Sequence, residues 1–236
     1  MQSDVTHLTL QDQLLTWFDK NKRPLLTACI AVAVIGTIAG IYVWHQNQTQ
    51  ADASEALSNI SSTAYTGGSQ AGTTEALLKV AADYSGTEAA KRAVLMAAGN
   101  YFAEGKYKEA QAQFEKFLRD YRASTFAGQA LLGVAASKDA QGMAAEATVA
   151  YKDIVDHHAA DTVALQARIA LGRLYEAQHK PELARDLYQQ VAQMDANGTL
   201  GAEAGMRMAE LLSKNPSLLQ VNPAMASPPV PPAAQP

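Results

Sequence analysis

Apolar positions between residues 54 and 214 recur with the spacing of amphipathic helices, and the whole pattern repeats every 37 residues. Within residues 91–124, Val94, Ala97, Ala98 and Tyr101 lie at i, i+3, i+4 and i+7, which predicts one face of a first helix. A second helix is predicted after Gly105. The step of 37 residues is clearest in a column of alanines: Ala56, Ala93, Ala130, Ala167 and Ala204.

This periodicity predicts four helical hairpins, over residues 54–87, 91–124, 128–161 and 165–198, and a closing helix over 202–214. The column Gly68, Gly105 and Gly142 predicts a left-handed residue where each first helix ends, and His179 breaks this column in the fourth hairpin. A fixed period of this length is typical of an all-α solenoid. Such proteins present surfaces to partners and seldom carry out chemistry.

A run of twenty uncharged residues precedes the repeats, from Leu25 to Trp44. At ~1.5 Å per residue, it matches the ~30 Å hydrocarbon core of a bilayer, so a transmembrane helix is predicted over residues 24–45. Lys20, Lys22 and Arg23 lie immediately before the run, and no Lys or Arg follows until Lys79. This asymmetry predicts a cytoplasmic N-terminus, with the rest of the chain across the membrane. Gly36 and Gly40 form a GxxxG pair that could pack against another helix.

Two other interpretations of the run are a cleaved signal peptide and a lipoprotein. The polar leader of 23 residues is long for a signal peptide, and so is the apolar run. The residues Leu26–Cys29 resemble a lipobox by letters, but a lipobox follows its apolar core, whereas this one precedes it. A single uncleaved span is therefore predicted, in which Cys29 is a small apolar residue.

The chain divides into four parts on this interpretation. Residues 1–23 form a cytoplasmic segment whose apolar positions predict a short helix lying against the inner leaflet. Residues 24–45 span the membrane, and residues 46–214 form the repeat domain. Residues 215–236 contain seven of the nine prolines, which predicts a disordered tail, with docking of a polyproline helix to a partner as the alternative.

The composition narrows the function further. The net charge of −4 gives no indication of a nucleic-acid partner, and one cysteine excludes an intrachain disulfide. No phosphate loop, nucleophile elbow or CxxC pair occurs in the sequence. The only histidine cluster is His157–His158, and adjacent residues do not face one site on a helix. We therefore expect no enzymatic activity, no cofactor and no metal site.

The repeats resemble the tetratricopeptide repeat (TPR). Small residues lie at unit positions eight and twenty, aromatic residues at eleven and twenty-four, and a glycine near fifteen. The chain departs from that family in its period of 37 rather than ~34 residues, in Arg168 where a bulky apolar residue is usual, and in Lys138 in place of an aromatic residue.

The TPR resemblance implies that the first helices line a concave face. Carried onto this sequence, the implied partner-binding residues are Arg92, Leu95, Phe102, Gln129, Leu132, Asp139, Gln166, Ile169, Arg173 and Glu176. Four of them, Leu95, Phe102, Leu132 and Ile169, are expected to form an apolar strip open to solvent, with charged residues at its margin.

From Leu14 to Leu212 the chain also resembles YfgM-like ancillary subunits of the SecYEG translocon. The resemblance rests on the order of parts: LLTWFDKNKRP, a single span, Tyr42 and Trp44 at its exit, the polar stretch QNQTQADASEA, and degenerate repeats. It implies a bacterial inner-membrane protein with a periplasmic repeat domain, whose partners are translocon subunits, periplasmic folding factors or exported chains. The alternative is a structural organiser of a cell-envelope or division complex.

Overall fold

The computed structural model describes residues 10–65, 70–158 and 162–219, and within these ranges the chain is helical throughout, without strands. The all-α solenoid expected from the sequence is confirmed. The helices are α1 Leu10–Tyr65, α2 Gln70–Asp83, α3 Glu88–Ala103, α4 Tyr107–Asp120, α5 Ala127–Ala140, α6 Ala144–His157, α7 Thr162–Ala177, α8 Pro181–Met194 and α9 Thr199–Lys214, followed by a 3₁₀ turn, Pro216–Leu219.

Helix α1 is one uninterrupted helix of 56 residues. It contains the apolar run, the residues from Leu10 that precede this run, and the first helix of the first hairpin. Two predictions are therefore corrected. The residues before the span do not form a separate helix, and the first repeat helix does not begin at residue 54. Residues 1–9 of that expected helix lie outside the described residues.

Side chains of the polar stretch after the apolar run form hydrogen bonds within the helix. The Thr49 hydroxyl donates to the His45 carbonyl at 2.9 Å, and the Ser54 hydroxyl donates to the Gln50 carbonyl at 2.8 Å. The Gln48 amide donates to the Asp52 carboxylate at 3.0 Å. All three join residues four apart, so polar side chains are satisfied along the helix without breaking it.

The three following hairpins, α3–α4, α5–α6 and α7–α8, close with the same backbone geometry. Gly105 and Gly142 have φ values of +75° and +76°, as the glycine column predicts, and His179 adopts the same left-handed region with φ +57°. The next N–H bonds back to the last turn of the first helix in each case: Lys106 to Tyr101 at 2.9 Å, Met143 to Lys138 at 3.0 Å and Lys180 to Tyr175 at 2.8 Å. Gly68, predicted to close the first hairpin, lies outside the described residues.

Each helix packs against the next, and consecutive first helices also touch: α1 with α3, α3 with α5, α5 with α7, and α7 with α9. The alanines that recur every 37 residues are fully buried from Ala93 onward. Large side chains of the second helices fill the layers between them: Leu77, Phe117, Tyr151, Ile154, Tyr188 and Val191. The first helices therefore form a continuous row, which positions the candidate site.

Two positions where the sequence departs from the repeat pattern behave differently. Lys138 stays near the surface, and its Nζ lies 3.7 Å from a carboxylate oxygen of Glu146. Arg168 is buried, at 7% exposure, and its Nε and Nη1 have no hydrogen-bond partner among the described residues. Buried guanidinium nitrogens without partners destabilise the fold, because their lost hydration is not replaced.

The segment after α9 begins with structure rather than disorder. Residues 216–219 form a 3₁₀ turn that packs on α9, and Leu218 is partly buried against the core. The prediction of a disordered tail is therefore corrected for residues 215–219. Residues 220–236 lie outside the described part of the chain.

Candidate functional site

A depression of about 300 Å³ opens where α3, α5 and the start of α7 meet. We call it the groove, and its lining residues are Gly99, Phe102, Phe114, Gln129, Leu132, Gly133, Ala136 and Gln166. None of them is charged. Apolar surface forms the walls, and two side-chain amides stand at the rim, where they can donate and accept hydrogen bonds.

Aromatic packing sets the shape of the groove. The ring of Phe102, at the end of α3, meets the ring of Tyr107 edge to face, with centroids 5.1 Å apart and an interplanar angle of 61°. Phe114 reaches in from α4 and forms the floor beside Gly133. A Cβ built at Gly133 would lie 2.5 Å from Cζ of Phe114, so a side chain here would push the ring away.

The groove unites four of the ten residues implied by the repeat resemblance: Phe102, Gln129, Leu132 and Gln166. Leu95 is half-buried against the core of the first two hairpins, next to the groove rather than in it. Ile169 is 5% exposed and belongs to the core of the later hairpins. The expectation that Ile169 is part of an open strip is therefore corrected, since α7 turns it into the interior.

Arg92 lies in a second recess, of about 510 Å³, between α1 and α3. Its guanidinium carbon stands 5.5 Å from the centroid of the Phe126 ring, which is cation–π geometry. The lining of this recess is mostly polar and includes Ser54, Ser58, Ser61 and Glu88. Leu57 and Met96 add apolar surface. The row of first helices thus presents a polar recess near α1 and an apolar groove farther along.

The remaining three implied residues form a polar cluster on α5 and α7. Burial raises the pKa of Asp139, and the nearby charge of Arg173 opposes this rise. Burial, reinforced by the Asp139 carboxylate, raises the pKa of Tyr151 to about 12. The hydroxyl of Tyr188 donates a hydrogen bond to Glu176, and burial together with this bond raises the pKa of Tyr188.

Sequence reasoning assigned Phe114 to the core and did not single out Gly133. A glycine inside a predicted helix was the available signal, because glycine there lowers helix stability and usually has a packing reason. Which ring occupies the space above it depends on the crossing of α4 and α5, and a single sequence does not give that crossing.

Other candidate features remain isolated. Among the described residues, no group of three or more His, Cys, Asp or Glu side chains could hold a metal ion. His157 is exposed at the end of α6, with Nδ1 3.0 Å from the carboxylate of Asp153. Gly36 and Gly40 have open space around them in this single chain.

Helix α1 contains one stretch, Ile30–Ser62, that is long and apolar enough to cross a membrane. The large apolar side chains of its first half are exposed and include Val32, Ile35, Ile38 and Ile41. A core helix of a soluble protein would bury such side chains, whereas no described residue covers these four.

Comparisons with known proteins agree with this architecture. Residues 16–132 match the family model of the tetratricopeptide repeat-like domain, a stretch that begins before the apolar run and ends within α5. No curated protein sequence gave a significant match.

Several solved structures are similar in fold. A tetratricopeptide repeat protein from Parabacteroides merdae is 12% identical, with a TM-score of 0.53, 71% of this chain covered and 61% of that one. Nearly identical TPR-like repeats from Podosopora anserina are 18% identical, with a TM-score of 0.51 and coverage of 72% and 87%. The repeat period, the shared hairpin geometry and the family match together show that this chain carries a tetratricopeptide-repeat-like domain within an all-helical solenoid.

Proposed function

We propose that the protein is a membrane-anchored scaffold that binds other proteins through the groove. The observation that carries this proposal is an open, uncharged groove whose walls come from three helices of the solenoid. Solvent-accessible apolar surface of this kind is typical of partner sites. The repeat fold adds support, because its row of first helices offers an extended surface.

The chemistry of the groove favours an apolar segment of a partner. The Phe102 ring and Leu132 offer apolar contacts, while the amides of Gln129 and Gln166 can bond to a partner backbone. The groove contains no lysine that could hold a terminal carboxylate. Charged groups stand beyond it: Arg92 toward α1, and Asp139, Arg173 and Glu176 on the later helices.

The proposed location is a bacterial inner membrane, crossed once by α1. Support comes from the exposed apolar side chains of Ile30–Ser62 and from the cluster Lys20, Lys22 and Arg23 that precedes it. The positive-inside bias then leaves the N-terminus cytoplasmic and the repeats periplasmic. Packing of Gly36 and Gly40 against a neighbouring membrane helix is part of this proposal.

The resemblance to YfgM-like subunits supports a more specific role beside the SecYEG translocon. There the groove would hold segments of exported chains or periplasmic folding factors. A fixed scaffold in an envelope or division complex would use the same surface, so the identity of the captured partners separates the two roles.

The test is site-specific photo-crosslinking in native membranes. A photoreactive residue at Gln129, which is exposed at the groove rim, should capture protein partners, whereas one at Lys152, exposed on α6, should not. The double variant Phe102→Asp with Leu132→Asp should abolish the capture. The control Val149→Asp with Leu183→Asp also places charge on apolar residues, but on exposed ones of α6 and α8, and should leave capture unchanged.

Circular dichroism of each variant checks that the helices and the melting temperature are retained. Translocon subunits, folding factors or exported chains among the captured proteins would support the translocon role. Division or cell-wall proteins would support the organiser role. Undiminished capture by the folded groove variant would overturn the assignment of this site.

A further inference from the structure

Five residues lie on one face of α1 where the apolar run ends, at i, i+3, i+4, i+7 and i+8: Tyr42, His45, Gln46, Thr49 and Gln50. Opposite this face lies the turn that joins α2 to α3. Together they enclose a recess of about 270 Å³, in which Ser85, Gly86 and Thr87 form the other wall. The turn therefore lies beside the part of α1 that emerges from the apolar segment.

Hydrogen bonds fix the conformation of this turn and its attachment to α1. The side-chain oxygen of Gln50 accepts a hydrogen bond from the backbone N–H of Glu88 at 3.2 Å. Thr87 caps α3, since its hydroxyl oxygen accepts from the N–H of Ala90 at 3.0 Å while the hydroxyl donates to the Tyr84 carbonyl at 2.8 Å. Gly86 supplies the left-handed residue, with φ +86°.

The same face of α1 then enters the core of the repeats. Ala53 is fully buried, and Leu57 and Ile60 pack against the core of the first two hairpins. In the neighbouring recess, α1 and α3 lie side by side, with Ser54 and Ser61 of α1 and Glu88 and Met96 of α3 in the lining. The span and the repeat domain thus share one helix, with no linker between them.

Helix geometry gives the height of the turn above the membrane. Gln50 follows Trp44, the last residue of the apolar run, by six residues, which is about 9 Å along the axis. The two headgroup layers of a bilayer add about 10–15 Å in total to its hydrocarbon core, so each extends roughly 5–8 Å beyond it. The α2–α3 turn is hydrogen-bonded to Gln50 and lines a recess with Tyr42, which is closer to the membrane. The turn is therefore expected at the outer edge of the headgroup layer.

We propose that the α2–α3 turn, residues 84–88, rests on the lipid headgroups and that this contact fixes the orientation of the repeat domain on the bilayer. The partner surface is the polar headgroup layer. The recess suits it, because its lining has no Lys, Arg, Asp or Glu and is rich in hydroxyl and amide groups. This inference rests on the span proposed above, and the experiment separates failure of the span from failure of the contact.

The experiment measures fluorescence quenching in the full chain, reconstituted into phosphatidylethanolamine–phosphatidylglycerol vesicles. Cys29 is first replaced by alanine, and a small environment-insensitive fluorophore is then attached to a single cysteine. The three labelled variants are Ser85→Cys, Lys108→Cys and Ile38→Cys. Ser85 and Lys108 are both exposed, so labels there leave the packing intact. Lys108 comes after the opposite end of α3. Since α3 is 16 residues long, that end lies about 24 Å from the turn.

A nitroxide on the lipid headgroup should quench the label at Ser85 several-fold more than the label at Lys108. A nitroxide within the acyl chains should quench the label at Ile38. Equal headgroup quenching at Ser85 and Lys108, with Ile38 quenched from the chains, would overturn the contact and leave the span intact. Absence of chain quenching at Ile38 would overturn the span and, with it, the contact.

Discussion

Replacing Arg168 by methionine is expected to stabilise the repeat domain. The arginine is 7% exposed, and two of its guanidinium nitrogens, Nε and Nη1, have no hydrogen-bond partner among the described residues. Methionine keeps an unbranched apolar chain that adapts to irregular gaps, and it has no donors to satisfy. The substitution should therefore remove a desolvation penalty and retain most of the packing in α7.

The magnitude follows from the two unpaired donors. Each buried donor without an acceptor costs about 1–3 kcal/mol. When buried charged groups are replaced by apolar residues of similar volume, the folded state is either unaffected or stabilised by up to about 4 kcal/mol. Since methionine does not reproduce the full shape of arginine, we expect a gain of about 2 kcal/mol. For a domain of this size, ~2–4 °C per kcal/mol gives a rise in melting temperature of about 4–8 °C.

The assay is thermal unfolding of the full chain in detergent, followed by far-ultraviolet circular dichroism. Arg119→Met is the matched control, because Arg119 is exposed on α4, and its effect should stay within about 0.5 kcal/mol. Arg168→Lys keeps the buried charge and should bring no gain. A melting temperature of Arg168→Met that falls, or that equals that of Arg119→Met, would refute the reasoning and show that the guanidinium is satisfied in solution.

Two further predictions concern the floor of the groove and the buried Tyr151 of α6. Gly133→Ala should destabilise the domain by about 1–3 kcal/mol in urea unfolding, because its Cβ would overlap the Phe114 ring. Gly205→Ala, in open space on α9, should instead stabilise by about 0.5–1 kcal/mol, and the reverse order would contradict the packing described here. Because the pKa of Tyr151 is about 12 in the folded protein and ~10 in the unfolded chain, the unfolded chain loses the proton first, so stability should fall between these two pH values. Tyr151→Phe should reduce this fall, and an identical alkaline profile of the variant would count against the raised pKa.

Much of the fold could be predicted from residue spacing because the interactions involved are local. The glycine column predicted where first helices end, and Gly105 and Gly142 have positive φ values there. His179 breaks the glycine column in the sequence, yet it adopts the same conformation, because the hairpin geometry holds the backbone in place. Four of the ten implied groove residues line one depression, because their positions in the repeat unit put them on the same side of the row of first helices.

Other features depended on how neighbouring helices pack. The sequence predicted a span and a first repeat helix but not that they are one helix, since a polar stretch between them is equally compatible with a linker. Ile169 is apolar at a groove position, and only the position of α7 against its neighbours decides that it is buried. The same applies to the Phe114 ring above Gly133.

The sequence by itself determined the all-α class, the repeat period, the hairpin turns and the apolar run, because these follow from backbone preferences and from the hydrophobicity of neighbouring residues. The tertiary structure alone decided which apolar residues stay open as a groove. It also decided that Nε and Nη1 of Arg168 are buried without a partner among the described residues, and that the α2–α3 turn packs beside the exit of the apolar segment. Those features arise from contacts between residues far apart in the chain, whose geometry is set by the crossing of whole helices.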